Sequence, residues 1–346
     1  MAATTTTTTT TTDTPTRLPN LKDHALIGDA EKIPINTPTP IISISPIILP
    51  APNRIVDLHL KVTVPTTGDS LPIILLSHGH GASNNLSSLN GYGPIANFWA
   101  AHGFIVIQPT HLSSKSLGLG SESNTEDPLS WRSRIEDMKF ILDRLDEIES
   151  SFPFLQGRFD HTRIAVAGHS LGGHTAGMLL GGKLVDPKDN SLVDLSDSRI
   201  KAGVLLAAPG NGDDGESVTP MVSRRFGFLA SNSLRDMATP TLVVAGDSDV
   251  SRHLTTREES WHMDGYYTSP GPKALLTLVG GKHGLGGVSG YDAAEATDDE
   301  SPERLAVVQR LSWAYLRSVL YPEDEAWEKA CKAFEALSAI GKVETK

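Results

Sequence analysis

A chain of 346 residues, 39% apolar and 21% charged, can bury a large core, and its length fits either one α/β domain with long loops or two small ones. The net charge of −11 argues against nucleic acid or an anionic membrane as the main partner, because both select for basic patches. The single cysteine, Cys331, excludes an intrachain disulfide and predicts a cytoplasmic setting, and its Ala-Cys-Lys-Ala context offers no base to activate the thiol.

The first residues carry an unbroken threonine run, Thr4 to Thr12, with neither the basic nor the apolar segment of a secretory signal. Residues 1–22 read as disordered, and 23–346 as one folded domain. No apolar run is long enough to span a bilayer. Val56, Leu58, Leu60, Val62 and Val64 alternate with Asp57, His59, Lys61 and Thr63, the period of a half-buried strand, and 41–49 reads as its neighbour, broken at Pro46.

From Pro72 onward the pattern changes to short continuous apolar runs: 72–77, 104–108, 163–167, 202–207, 241–245 and 274–279. Such runs fit strands buried on both faces of a parallel sheet. Between them lie helical stretches. The clearest opens at Asp127-Pro128 and stacks Ile135, Met138, Ile141, Leu142, Leu145 and Ile148 on one face, and two more fall at 303–320 and 323–338. Two antiparallel strands followed by alternating strands and helices predict a mostly parallel central sheet with helices on both faces.

The run 163–167 leads directly into Gly168-His169-Ser170-Leu171-Gly172, with helix-compatible residues behind it. A sharp strand-to-helix turn needs residues without bulk two before and two after the serine, and it thrusts the hydroxyl out at the carboxyl edge of the sheet. A serine needs a base, and the base needs an orienting acid, here expected in the order Ser, Asp, His. The run 241–245 ends in Gly246-Asp247-Ser248-Asp249, and 274–279 ends in Gly280-Gly281-Lys282-His283-Gly284. This makes His283 the expected base and leaves Asp249 and Asp247 as rival acids. The run 72–77 ends in His78-Gly79-His80-Gly81, whose backbone N–H at His80, with that of Leu171, suits an oxyanion hole. A metal pair at His78 and His80 lacks a second ligand cluster, and no glycine cluster has phosphate-loop spacing, so neither a metal nor a cofactor is expected. His169 and His174 read as structural.

With these motifs in order, the chain resembles the α/β-hydrolase superfamily over roughly residues 40–320. The segment 77–109, with its His102–Ile107 strand, is similar to the branch that holds platelet-activating-factor acetylhydrolase-like enzymes, chlorophyllases and microbial polyester hydrolases. In the superfamily the acid commonly stands third after the glycine ending its strand, which favours Asp249. The resemblance implies the α/β-hydrolase fold; the short stretches 182–199 and 209–240 leave no room for a large cap domain. Gly-His replaces the Gly-Tyr of many polyester hydrolases at the oxyanion turn, which argues against a polyester substrate.

The reading is hydrolysis of a small-molecule carboxylic ester by a serine esterase working through an acyl-enzyme. Acyl transfer, thioester or lactone cleavage on the same triad, and a non-catalytic ligand-binding protein on the same fold, are the rivals. Trp261 and Tyr266, in the long segment 251–272, are candidate substrate-binding aromatics, with packing of that segment onto the body as the alternative. Burial of His283 and the charge of Asp249 act in opposite directions on the base, which predicts a midpoint around pH 6 to 7.

Overall fold

The computed structural model describes residues 26–120, 127–296 and 298–346, so the threonine-rich stretch assigned to disorder lies outside the described residues. Eleven strands are described: β1 (Ile41–Leu49), β2 (Leu58–Pro65), β3 (Leu71–Ser77), β4 (Ile105–Pro109), β5 (Phe159–His169), β6 (Lys183–Val185), β7 (Leu192–Asp194), β8 (Ile200–Leu206), β9 (Thr241–Gly246), β10 (Lys273–Leu278) and β11 (Gly341–Thr345). Nine of them form one sheet in the order β1-β2-β4-β3-β5-β8-β9-β10-β11, and β6 with β7 makes a separate hairpin. The six strands from β4 to β10 run parallel, while β1, β2 and β11 are antiparallel to their neighbours. This is the α/β-hydrolase architecture.

The continuous apolar runs are explained by the two cores. Side chains alternate across a strand, so Ile73, Leu75, Ile105, Ile107, Val166, Leu205 and Val243 pack on one face. Their neighbours Ile74, Leu76, Val106, Ala165, Ala167, Val204, Leu206, Leu242 and Val244 pack on the other. The helices are α1 (Gly93–Ala101), α2 (Trp131–Asp143), α3 (Leu145–Ser150), α4 (Leu171–Leu179), α5 (Pro220–Arg225), α6 (Gly227–Ala230), α7 (Asp264–Tyr267), α8 (Pro302–Leu320) and α9 (Ala326–Phe334). The first core meets α2, α3 and α4. The second meets α1, α8 and α9, where Trp99 donates to Ser312 Oγ (3.0 Å) and Trp313 to the His102 carbonyl (3.0 Å).

Three sequence expectations are corrected in detail. The helix expected to open at Asp127-Pro128 begins at Trp131, because Leu129 and Ser130 take positive φ values of 57° and 53°. The third predicted helix ends earlier, at Phe334 with one tight turn behind it, and the chain then returns as β11, an edge strand on β10. Pro46 does not end β1; the pairing with β2 shifts register between Ile44 and Ile47 and resumes. Among the described residues, no helix is long and apolar enough to cross a membrane.

Candidate active site

Ser170 stands between the end of β5 and the start of α4, with φ 55° and ψ −123°, a strained backbone for a residue with a side chain. Gly172 is dictated by close approach: a Cβ there would lie 2.1 Å from the Ser77 carbonyl oxygen and 2.8 Å from that of His78. The same contact sets the turn after β3, with His80, against the first residues of α4, with Leu171. The positive end of the α4 dipole faces the same place.

His283 follows β10 and Asp249 follows β9. Ser248 N–H donates to the Gly281 carbonyl (2.9 Å) and Asp247 N–H to that of Leu278 (3.1 Å), so the two turns are laced together. A Cβ on Gly246 would sit 2.1 Å from the Gly281 oxygen, which is why glycine ends the acid strand. The structure brings three predicted side chains into line: His283 Nε2 is 2.9 Å from Ser170 Oγ, and His283 Nδ1 is 2.7 Å from Asp249 Oδ2. Asp247 instead accepts from Gly280 N–H (2.7 Å), its own turn's neighbour.

The charge states follow from the surroundings. Burial alone would lower the His283 pKa, but the Asp249 charge and hydrogen bond, then the Asp299 charge, hold it above the ordinary histidine value. Burial alone would raise Asp249; the charge on His283 and hydrogen bonds from His262 and His283 hold it well below the carboxylate range instead. His169, the residue before the serine, is pushed down to about 3 by burial and by His283, so it is neutral. Its Nε2–H donates to the His283 carbonyl (2.7 Å), which leaves Nδ1 as an acceptor facing Tyr92 OH (3.1 Å), a hydroxyl that also donates to the Leu86 carbonyl (3.1 Å). Gly79 N–H donates to that same phenol (2.8 Å), so Tyr92 and His169 together tie the turn after β3 to the turn after β10.

Behind the turn that carries His80 lies a polar cluster that sequence reading missed. Arg134, fully buried on α2, donates to the His78 carbonyl, Ser113 Oγ (2.6 Å), Thr175 Oγ1 (3.1 Å) and Ser77 Oγ (3.3 Å). His111 lies 2.9 Å from Ser77 Oγ and 2.9 Å from Asp137 Oδ2, and Arg54 grips the same carboxylate at 2.9 and 3.2 Å. In sequence these residues are scattered from Arg54 to Thr175.

The remaining candidates are placed by their burial. Trp261 is fully buried and donates to the Asn211 carbonyl (2.8 Å); Tyr266 is 7% exposed and sits edge-on to Tyr267 with the Lys346 ammonium over its ring. Both are packed into the body, and neither offers a face to a ligand. His174 is buried edge-on to Phe228 and pushed down to about 3, by burial first and then by Arg134. Cys331 is raised to about 12 by burial and Glu335, an inert thiol. His78 spends both ring nitrogens on backbone, donating from Nδ1 to Gly79 O (2.7 Å) and accepting His111 N–H at Nε2 (3.1 Å).

Asp249, His262 and His283 have ligand atoms within 4.8 Å of one another and form a possible metal-binding group. Both imidazoles, however, converge on one oxygen, Asp249 Oδ2, at 2.7 and 3.2 Å, whereas zinc sits between its donors at about 2.0–2.2 Å from each. His283 Nδ1 cannot serve the carboxylate and a metal at once.

The sheet order and the turn that carries Ser170 give the chain the α/β-hydrolase fold. Comparison with protein families matches residues 51–186 to the family described as Chlorophyllase, in agreement with the resemblance of this stretch to the chlorophyllase-containing branch of the superfamily. The matched stretch runs from just before β2 to just after β6 and so includes His80, Ser170 and Leu171, and ends before Asp249 and His283. A search of curated proteins gives no match.

Proposed function

We propose that this hydrolase is a serine esterase that cleaves carboxylic esters through an acyl-enzyme. The observation that carries the proposal is the unbroken line from Ser170 Oγ through His283 to Asp249, at 2.9 and 2.7 Å. The family match over the nucleophile half of the chain supports the ester-hydrolase class.

In this reading Ser170 Oγ attacks the ester carbonyl carbon while its proton passes to His283 Nε2. Asp249 holds Nδ1–H and stabilises the imidazolium that forms. The carbonyl oxygen, now an oxyanion, accepts from the backbone N–H groups of Leu171 and His80. Collapse breaks the bond to the alkoxy oxygen, which takes the proton from His283 and leaves as the alcohol. Water then attacks the acyl-enzyme with His283 again as base, and the acid departs from Ser170. Every step uses side chains and amides of this chain alone.

The test pairs covalent labelling by a fluorophosphonate with hydrolysis of p-nitrophenyl esters of increasing chain length. Labelling of Ser170 together with ester turnover is the expected result. A folded protein that turns over no ester and is not labelled sinks the proposal.

A further inference from the structure

His80, whose amide is the proposed oxyanion donor, stands between two glycines, and each glycine makes room for a side chain from elsewhere in the chain. A Cβ on Gly79 would lie 2.9 Å from the Tyr92 hydroxyl oxygen, and one on Gly81 would lie 2.5 Å from Glu295 Oε1. Both side chains are bonded to the turn they crowd. Gly79 N–H donates to the Tyr92 hydroxyl (2.8 Å). Ser83 donates its N–H to Glu295 Oε1 (2.8 Å) and its hydroxyl to Glu295 Oε2 (2.6 Å). Tyr92 is fully buried, and its one hydroxyl hydrogen goes to the Leu86 carbonyl (3.1 Å) while His169 Nδ1 faces the same oxygen at 3.1 Å.

The same two residues connect the turn to the segment behind His283. Tyr92 N–H donates to the Ser289 carbonyl (3.0 Å), and Glu295 stands further along that segment. Between these contacts Leu86 and Ala293 form a small buried apolar cluster of their own. Tyr92 also holds a left-handed φ of 66°, which is costly for a residue with a side chain and persists only where the surroundings fix it. Its bonds at both the N–H and the hydroxyl do so.

We propose that Tyr92 and Glu295 are positioning residues that grip the turn after β3 from its two sides, Tyr92 at Gly79 and Glu295 at Ser83, and so fix the His80 amide relative to His283. The catalytic consequence rests on the esterase reading; the grip itself does not. An oxyanion donor acts on charge that develops only in the transition state, so a displaced amide lowers kcat and leaves KM nearly alone. Both residues act through the His80 amide and not on the substrate.

The experiment measures p-nitrophenyl butyrate hydrolysis by the full chain, with rates expressed per active site titrated by a fluorophosphonate. It adds inhibition by an aryl trifluoromethyl ketone, to whose carbonyl carbon Ser170 Oγ bonds while the Oγ proton passes to His283 and the carbonyl oxygen becomes the oxyanion. Tyr92→Phe should lower kcat by roughly 10²-fold, the scale of one lost oxyanion donor, and weaken the ketone by the same factor. KM should change by less than about twofold, the mark of an interaction made only in the transition state. Glu295→Ala should lose about tenfold in both kcat and ketone affinity, and Glu295→Gln, which keeps an oxygen for Ser83 N–H, should recover most of it. Unchanged kcat per site in Tyr92→Phe and Glu295→Ala overturns the proposal, as does a fall in kcat that the ketone does not follow. If Tyr92→Phe fails to fold, the Glu295 pair decides alone. A protein that turns over no ester and leaves Ser170 unlabelled sinks the esterase reading instead. Amide hydrogen exchange then still tests the grip: it should quicken at Gly79 in Tyr92→Phe and at Ser83 in Glu295→Ala, and unchanged exchange overturns it.

Discussion

The molecule contains two Ser–His–Asp lines of nearly the same geometry. Ser170, His283 and Asp249 meet at 2.9 and 2.7 Å at the carboxyl edge of the sheet; Ser77, His111 and Asp137 meet at 2.9 and 2.9 Å beneath it. Their environments differ completely. The His283 side chain is 36% exposed and its pKa is raised, whereas Ser77 and His111 are 0% exposed, so no substrate reaches them. Burial, then the guanidinium charges of Arg134 and Arg54, hold His111 well below the histidine range. These surroundings disfavour the imidazolium that accepting a serine proton would require. Hydrogen-bond distances alone therefore do not make a nucleophile. Access and the balance of neighbouring charges separate the two lines, and the buried one holds the turn after β3 through Arg134 and the His78 carbonyl.

The sharpest way to break this comparison is to remove each serine. Ser170→Ala is expected to lower ester turnover by roughly three to six orders of magnitude in a folded protein and to abolish probe labelling. Ser77→Ala should keep the labelling and lose stability instead, about 1–3 kcal/mol, because Arg134 and His111 each lose a partner. Labelling that moved to Ser77 would reverse the assignment. Next in size, Asp249→Asn should reduce kcat by about 10⁴, since the amide favours the wrong histidine tautomer. Asp247→Asn should cost far less, because that carboxylate serves the Gly280 amide. Stopped assays of both variants rank the acids.

What could be read without coordinates divides along the same boundary. Six central strands were legible because burial on both faces makes them continuous apolar runs, and both cores use them. Ser170, Asp249 and His283 were legible because each follows a strand and stands beside a glycine that close packing demands. Arg134 was not, since nothing local marks a cation whose partners come from β3, α4 and the loop after β4. His262 was hidden too, because the segment 251–272 must fold back before the ring comes within 3.2 Å of Asp249. β11 escaped because Gly-Lys-Val-Glu-Thr is a short, half-exposed edge with little apolar pattern.

Smaller effects test the supporting structure. Arg54→Ala leaves Asp137 with only His111 in a buried site and should destabilise by about 3 kcal/mol, read as a lower thermal midpoint, with the pH profile unmoved. Trp261→Phe gives up the bond to the Asn211 carbonyl and should cost about 1 kcal/mol while KM for small esters stays unchanged. A changed KM with unchanged stability would return Trp261 to the substrate pocket.

The smallest expected effect is a displaced midpoint, and its direction follows from the exposed line alone. Protonated His283 cannot take the Ser170 proton, so kcat/KM should rise with pH through one ionisation and then level off. Burial pulls that ionisation down, but the Asp249 charge and hydrogen bond, then the Asp299 charge, pull it up and prevail. The midpoint should therefore lie above about 6.5, the value of an unperturbed histidine, and not symmetrically around it. The linkage has the opposite sense for stability. A histidine whose pKa is raised on folding stabilises the protein fully below its unfolded value, and that contribution is lost as pH rises through the folded value. The enzyme should thus gain activity over the same window in which His283 stops stabilising it. Asp299→Asn removes one of the raising charges, though it also weakens a carboxylate that accepts from the Lys282 and Gly286 amides (3.2 Å each). That variant should move the acid limb downward. A rate profile whose midpoint falls below 6.5 in the unmodified enzyme, or fails to move in Asp299→Asn, would show that burial and not the two carboxylates governs the base.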